Sequence, residues 1–341
     1  MMVHIKEVAK LANTSITTVS RVINDTGYVK EETRNRVLKA IDQLGYQPLE
    51  RSNQKKETKA IGLVIPNIEN PFFGKVAKHL TKVANQYNYN ILLYDIQASD
   101  VLREEFLMDL IEKRVDGLIY ASSKRFTEAI EKAQEKNKPI VIFDREVKNG
   151  EISAVVIDND HGAFIATEHL IDMGNRNIAF IGGPEDMEIT LKRKQGFERA
   201  LNQYKIPLNM EYIAYGDYKL RGGFDCMQKL HEAHPEITGV VVANDLMAIG
   251  AQHYLSGAGV SVPEEIALIG FDNIEMSESI RPSLSTVDYP IERMSERIMD
   301  LLLLQIKSPE AQGEMVRLYP TLIKRESTNC RRTKSETGRG D

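Results

Sequence analysis

From Ala60 onward, short apolar runs alternate with amphipathic helical stretches, and no other feature restricts the fold so strongly. The runs are AIGLVIPN, NILLYDI, DGLIYAS, PIVIFD and AVVIDN, then NIAFIGG, EYIAYGD, GVVVAND and IALIGFDN. Runs this continuous suit parallel strands covered on both faces, because a strand with one wet face alternates instead. The region therefore reads as α/β, a body of doubly wound parallel sheets. Residues 60–328 are too many for one such unit, and the pattern restarts after VVIDNDHGAF. Two similar lobes meeting near residue 160 are expected. Polar residues close the runs at Asp95, Ser122, Asp144, Asp217, Asp245 and Asp272. Ligands bind at such strand ends in sheets of this type, although a polar residue is also the simplest way to stop a strand.

The first 48 residues differ in texture: they hold no strand pattern and three short helical ones. IKEVAKLA places Ile5, Val8, Ala9 and Ala12 on one face, SITTVSRVIND follows after a break at Asn13 and Thr14, and KEETRNRVLKAIDQLG stops at Gly45. The expected unit is an all-α, three-helix head with Ser15 as an N-cap. At about 100° per residue, Ile16, Val19, Val22 and Ile23 of the second helix turn inward. Thr17, Thr18, Ser20 and Arg21 turn outward. Residues 49–59, LERSNQKKETK, read as a linker, and 329–341 as a polar tail. Residues 1–59 carry 11 Lys and Arg against 7 Asp and Glu, whereas the remainder carries 33 against 42. A basic head on an acidic body suits a polyanionic partner, or simply a solvated face.

Other classes find little support. Cys226 and Cys330 match no metal or redox spacing, so no metal site or cofactor is expected. The N-terminus MMVHIKEVAKLAN carries charges where an export signal needs an apolar run, and no stretch approaches about 18 consecutive apolar residues. A cytoplasmic location is expected, with no membrane contact. IGGPED lacks both phosphate-loop patterns, no G-x-S-x-G occurs, and HEAH (His231 to His234) has no third ligand nearby in sequence. An enzyme is therefore not expected. A transport solute-binding protein would share the body but need an export signal and lack the head.

The chain resembles the LacI/GalR family of bacterial transcription regulators over nearly its whole length. The head IKEVAKLANTSITTVSRVIND is similar to the family's helix-turn-helix signature. The body carries landmarks in order: IGLVIPNIENPFF, VIFDR, VVIDN, GNRNIAFIGG, VVANDLMAIGA, VPEEIALIGFDN, PSLSTV and LIKRES. The resemblance implies a helix-turn-helix DNA-binding domain over 1–48, a hinge over 49–59, and an effector-binding and dimerisation domain over 60–328. This body would be periplasmic-binding-protein-like, with lobe 1 at about 60–159 and 290–316 and lobe 2 at about 160–289 and 317–328. Crossings fall near Asn159, Tyr289 and Arg317.

It further implies a repressor of a carbohydrate-utilisation operon that binds a palindromic double-stranded DNA operator as a homodimer. The second helix would lie in the major groove, with Thr17, Thr18 and Arg21 against base edges. Arg can bond guanine in bidentate fashion, and Thr can bond a base or meet a thymine methyl. Ser20, Lys6, Asn24 and Tyr28 would contact phosphate and set register. The hinge departs from the family's Y-x-P-N-x-x-A-R-S-L: in YQPLERSN, Tyr46, Pro48, Arg51 and Ser52 align only if two residues are deleted. Asn53 then replaces the leucine that wedges into the minor groove. Either Arg51 and Asn53 make a weak polar contact there, or Leu49 substitutes. Between the lobes a small effector, a sugar or sugar acid, is expected. Phe72 and Phe73 would stack on it, and Arg145, Arg193, Tyr218, Asn244, Asp245 and Asp272 would supply the remaining contacts. A catabolite-control regulator whose corepressor is a phosphoprotein is the alternative within the same family.

Overall fold

The structure is a computed structural model that describes residues 4–23, 27–46, 57–96, 104–121, 127–147 and 152–329. The chain divides into two units, residues 1–57 and 58–341.

The first unit holds α1 (Ile5–Leu11), α2 (Ile16–Ile23) and α3 (Glu31–Leu44). The Glu7 carboxylate accepts from the His4 backbone N–H at 2.8 Å and fixes the start of α1. Asn13, at φ 48°, makes the tight turn, and Ser15 Oγ accepts from Thr18 N–H at 3.1 Å to cap α2. Gly45 ends α3 in the left-handed region at φ 58°, where a side chain would be strained. Val8, Ala9, Ala12, Val19, Val22, Val37 and Ala40 form the core. Ile16 departs from the expectation and stays 43% exposed. It opens α2, and the next turns of that face reach the core, Val19 and Val22 fully and Ile23 in part.

The second unit runs β1 (Ala60–Ile65), α4 (Pro71–Gln86), β2 (Asn90–Asp95), α5 (Glu104–Asp109), β3 (Gly117–Ala121), α6 (Thr127–Glu135), β4 (Ile140–Phe143) and β5 (Ser153–Ile157). It continues through α7 (Asn159–Asp172), β6 (Ile178–Gly182), α8 (Glu188–Gln203), β7 (Ile213–Tyr215), α9 (Leu220–Ala233), β8 (Gly239–Val242), α10 (Asp245–Gly257) and β9 (Ala267–Phe271). The last elements are α11 (Glu275–Ser279), β10 (Ser285–Asp288), α12 (Ile291–Lys307), β11 (Met315–Leu318) and β12 (Thr321–Ile323). Two six-stranded sheets result, ordered β11-β5-β4-β3-β1-β2 and β12-β10-β9-β8-β6-β7. Each lobe thus repeats one strand order and borrows an edge strand from the C-terminal segment. All pairings are parallel except β10 with β12, where the chain returns antiparallel. The chain passes between the sheets after β5, after β10 and after β11.

Helix starts at the carboxyl ends of the strands are fixed by short side chains. Asn70 Oδ1 accepts from Phe72 N–H at 3.0 Å with Pro71 as the first helical residue, Asp158 caps α7, and Asn244 Oδ1 accepts from Met247 N–H at 3.0 Å. These caps turn the chain sharply, so the loops of both lobes face each other. Among the described residues, no helix is long and apolar enough to cross a membrane.

Helices α9 and α10 pack with almost no side chain between them. A Cβ on Gly250 would lie 1.9 Å from Leu220 O, and one on Gly223 2.0 Å from Met247 O. Backbone cannot yield as a flexible side chain does, so Gly250→Ala should cost about 1–3 kcal/mol by overpacking. A thermal melt of the full chain should show a clear loss of stability, whereas Gly257→Ala on the same helix, where a Cβ meets nothing within 4 Å, should leave the melt nearly unchanged.

Candidate functional site

Two surfaces carry the candidate residues, and each lies within one unit. On the head, Thr17 and Arg21 are exposed along α2, and Thr18 and Ser20 are half-buried on the same helix. Thr18 Oγ1 lies 2.8 Å from Ser15 Oγ, so its hydroxyl helps cap the helix as well as facing outward. Lys6 is exposed on α1, and Tyr28 is 89% exposed beyond α2. Asn24, Arg51 and Asn53 lie outside the described residues, as does the hinge sequence that departs from the family pattern.

In the body, the facing strand ends enclose a cavity of about 350 Å³, within the size range of small-molecule sites. Its loops follow β1, β4, β6, β7, β8 and β9, and Tyr289 of the second crossing segment lines it. Phe72 and Phe73 form part of the lobe 1 wall. Phe72 is buried edge-on to Tyr289, with ring centroids 5.4 Å apart, so it is at once wall and core. Leu220, Leu246, Met187 and Ile189 make the lobe 2 side largely apolar. Tyr218, at φ 63°, lies over Gly183, where a Cβ would sit 2.1 Å from its ring; its hydroxyl is 2.8 Å from Thr190 Oγ1. Asn244 lines the cavity while donating to Tyr218 O at 3.0 Å.

Arg193 forms the floor and is only 4% exposed. Its Nε donates to Asn159 Oδ1 at 2.9 Å, Nη1 to Ala243 O and Nη2 to the Tyr289 hydroxyl. The guanidinium also lies 4.5 Å from the Phe271 ring centroid. Its hydrogen-bonding directions are thus largely engaged by the protein. Four carboxyls and one further cation line the cavity with it: Glu69, Asp217 and Lys219 are exposed, and Asp144 and Asp272 are the less exposed pair. Asp144, at φ 60°, accepts from Asn159 Nδ2 at 3.2 Å. Asp272, at φ 100° and 5% exposed, accepts no side-chain hydrogen bond among the described residues. Burial pushes Asp144 up to about 7 against the pull of Arg193, and pushes Asp272 up to about 6 against the same cation.

Two expected cavity residues are not there. Arg145 lines a separate depression with Tyr120, Ile130, Ile142 and Glu146. Asp144 takes the inward direction at the end of β4, and the next residue faces the other side. Asp245 is likewise displaced by Asn244. It is fully buried behind the cavity, accepting from Ile274 N–H at 2.9 Å and from Ser277 Oγ and Thr286 Oγ1 at 2.6 Å each. Burial raises this carboxyl to about 7, with Asp272 adding to the effect. The expectation omits Asp144, Tyr289, Glu69, Asp217 and Lys219 from the cavity. The sequence marks Asp144 and Asp217 as strand ends and Tyr289 as a crossing. His231 is 3.2 Å from the Tyr254 hydroxyl, and no metal-binding cluster occurs among the described residues.

Residues 4–49 match the family described as bacterial regulatory proteins, lacI family, and residues 167–328 match the periplasmic binding protein-like domain. The chain is 34% identical to Catabolite control protein A of Priestia megaterium over 96% of this chain and 100% of that protein. The transcriptional regulator CelR in complex with cellobiose superposes with a TM-score of 0.73 at 29% identity, covering 95% of this chain and 99% of that one. The lac repressor dimer bound to operator and an anti-inducer gives 0.70 at 25% identity, covering 96% and 99%.

The three buried carboxyls set a direction for pH dependence. Unfolded, they titrate near 3.9; folded, near 6 to 7, so the fold favours their protonated forms. Their stabilisation is complete below about pH 4 and is lost as pH rises through 6 to 7, at up to about 1.4 kcal/mol per pH unit for each group. The melting temperature should therefore fall between pH 5 and pH 8. Asp144→Asn, which carries no proton to lose, should flatten that fall; an equal slope in the variant would show that Asp144 does not titrate there.

Proposed function

The chain belongs to the lacI family of bacterial regulatory proteins and is a DNA-binding transcriptional regulator; from this premise we propose that it represses carbohydrate-utilisation genes and responds to a neutral, hydroxyl-rich sugar. One observation carries the choice of ligand. Asp272 offers a buried carboxyl that accepts no hydrogen bond from a side chain among the described residues, while Arg193, the cation beside it, already serves protein acceptors. Sugar hydroxyls can donate to Asp144 and Asp272, and C–H faces can pack on Phe73 and the apolar wall. A sugar acid fits less well, because its carboxylate would approach Asp144 and Asp272 beside an arginine that already commits three of its five donors to the protein, with Lys219, exposed, as the other cation of the lining. The cellobiose complex among similar structures supports the same class.

On the head, Thr17, Thr18 and Arg21 read base edges in the major groove, and Lys6, Ser20 and Tyr28 hold phosphates. Asn24, Arg51 and Asn53 complete the DNA contacts. A head this small makes few base contacts, so useful affinity requires two heads on half-sites about 34 Å apart. A homodimer in the cytoplasm supplies them. Support for pairing comes from β2, an edge strand whose Leu92 and Leu93 are 37% and 36% exposed. A second reading, control by a phosphoprotein corepressor in place of a sugar, is favoured by the likeness to Catabolite control protein A.

Two measurements test these readings. Arg21→Ala should weaken operator binding by about 1–3 kcal/mol and relax preference at one base pair per half-site. Lys6→Ala should weaken specific and non-specific DNA alike. Gel-shift titrations in which Arg21→Ala kept both affinity and preference would remove α2 from the groove. For the ligand, calorimetry of the full chain with neutral sugars, sugar phosphates and uronate-derived acids should give heat with a neutral sugar alone. Tighter binding of an acid would reverse the charge argument, and silence across the panel would favour the phosphoprotein.

A further inference from the structure

The turn that presents Asp272 has an unusual backbone, with two consecutive non-glycine residues, Asp272 and Asn273, at φ 100° and 48°. Such a turn persists only where its surroundings hold it. On one side Asp272 N–H donates to Val287 O at 2.9 Å. On the other, Asn273 N–H donates to Thr286 Oγ1 at 3.3 Å, and that hydroxyl in turn donates to Asp245 Oδ1 at 2.6 Å. Asp245 Oδ2 then takes Ile274 N–H and Ser277 Oγ just beyond the turn. The Asp245 carboxyl fits only because residue 270 is glycine: a Cβ there would lie 2.2 Å from Asp245 Oδ1.

The geometry points to Asp245 and Thr286 as positioning residues that set ligand affinity without touching the ligand, by fixing the turn that aims Asp272 into the cavity. This rests on the reading of that cavity as the effector site. Asn244 and Asp245 then divide the work at the start of α10: Asn244 faces the cavity, and its neighbour orients the carboxyl that faces it from β9. Thr286 is the cleaner probe, because replacing it leaves every charge in place.

The test compares Thr286→Val, which keeps the shape and removes the hydroxyl, with Thr286→Ser, which restores it, in the full chain. The first readout is calorimetric titration with cellobiose and with any neutral sugar that the wild type binds. The second is the titration of the Asp272 side-chain carboxyl followed by carbon NMR. The charged and titratable groups facing that carboxyl are Arg193, Asp144, Tyr218, Tyr289, Lys75 and Asp245, and both variants keep all of them. Thr286→Val should weaken sugar binding at least tenfold and move the Asp272 midpoint down toward the ordinary carboxylate range. Thr286→Ser should stay within twofold of wild type, with its midpoint unmoved. A Thr286→Val protein that matches wild type in either readout overturns the proposal, as does equal loss in the serine variant. If the wild type binds no sugar, the effector reading falls by itself, and the carboxyl midpoint alone decides whether Thr286 and Asp245 hold the turn.

Discussion

The burial of one arginine organises the body. A guanidinium taken out of water is costly unless its donors are met, and here they are met by groups that belong to different parts of the chain. Asn159 lies at the first crossing between lobes, Tyr289 at the second, and Ala243 at the end of β8. The Tyr289 hydroxyl in turn donates to Asn159 Oδ1 at 3.1 Å, closing the set. The floor of the cavity is therefore also a tie across the lobe boundary. Three of its donors are committed to the protein, and in the proposed reading Asp144 and Asp272 are the carboxyls beside it that a ligand meets. The cavity's preference follows from how the fold satisfies Arg193, more than from a simple count of cations.

How much of this could be read from the sequence depends on what each element must bury. The central strands are covered on both faces and announce themselves as continuous apolar runs; β1, β3, β4, β5, β6, β8 and β9 are buried along their whole length. The edge strands β11 and β12 are partly exposed, so MVRL and TLI carry no such run; the resemblance marks only LIKRES, which overlaps β12, and a crossing near Arg317. The antiparallel return of β12 follows from the third crossing, a long-range event that no local pattern encodes.

At two strand ends the cavity was legible to within one residue, whereas Tyr289 enters it from a crossing between the lobes. At both Asp144-Arg145 and Asn244-Asp245 two polar residues follow an apolar run, and successive residues leaving a strand point to opposite sides. Sequence locates the strand end, but it does not give the parity. The structure resolves it through the left-handed backbone at Asp144 and the cap made by Asn244. In the head, the 3.6-residue period suffices for Val19 and Val22 but overstates Ile16, because periodicity carries no information about where a helix leaves its neighbours.

A ligand in this cavity can alter DNA affinity only to the extent that it binds two arrangements of the protein unequally, and such couplings are typically about 1–3 kcal/mol. Under the proposed function, the cavity supplies a source of that inequality. Asp144 belongs to lobe 1 and Asp272 to lobe 2, so a sugar that donates to both is held best at one separation of the lobes. Besides Arg193, two contacts near the crossings also depend on that separation: Lys75 of α4 reaches Asp288 at 3.4 Å and Asn273 O at 3.3 Å, and Lys192 of α8 lies 4.0 Å from Glu146. Both are partly exposed ion pairs, worth little alone and readily exchanged for water. They can tune the balance between lobe arrangements without fixing it, and under the proposed function the polar contacts to a sugar would decide which arrangement prevails.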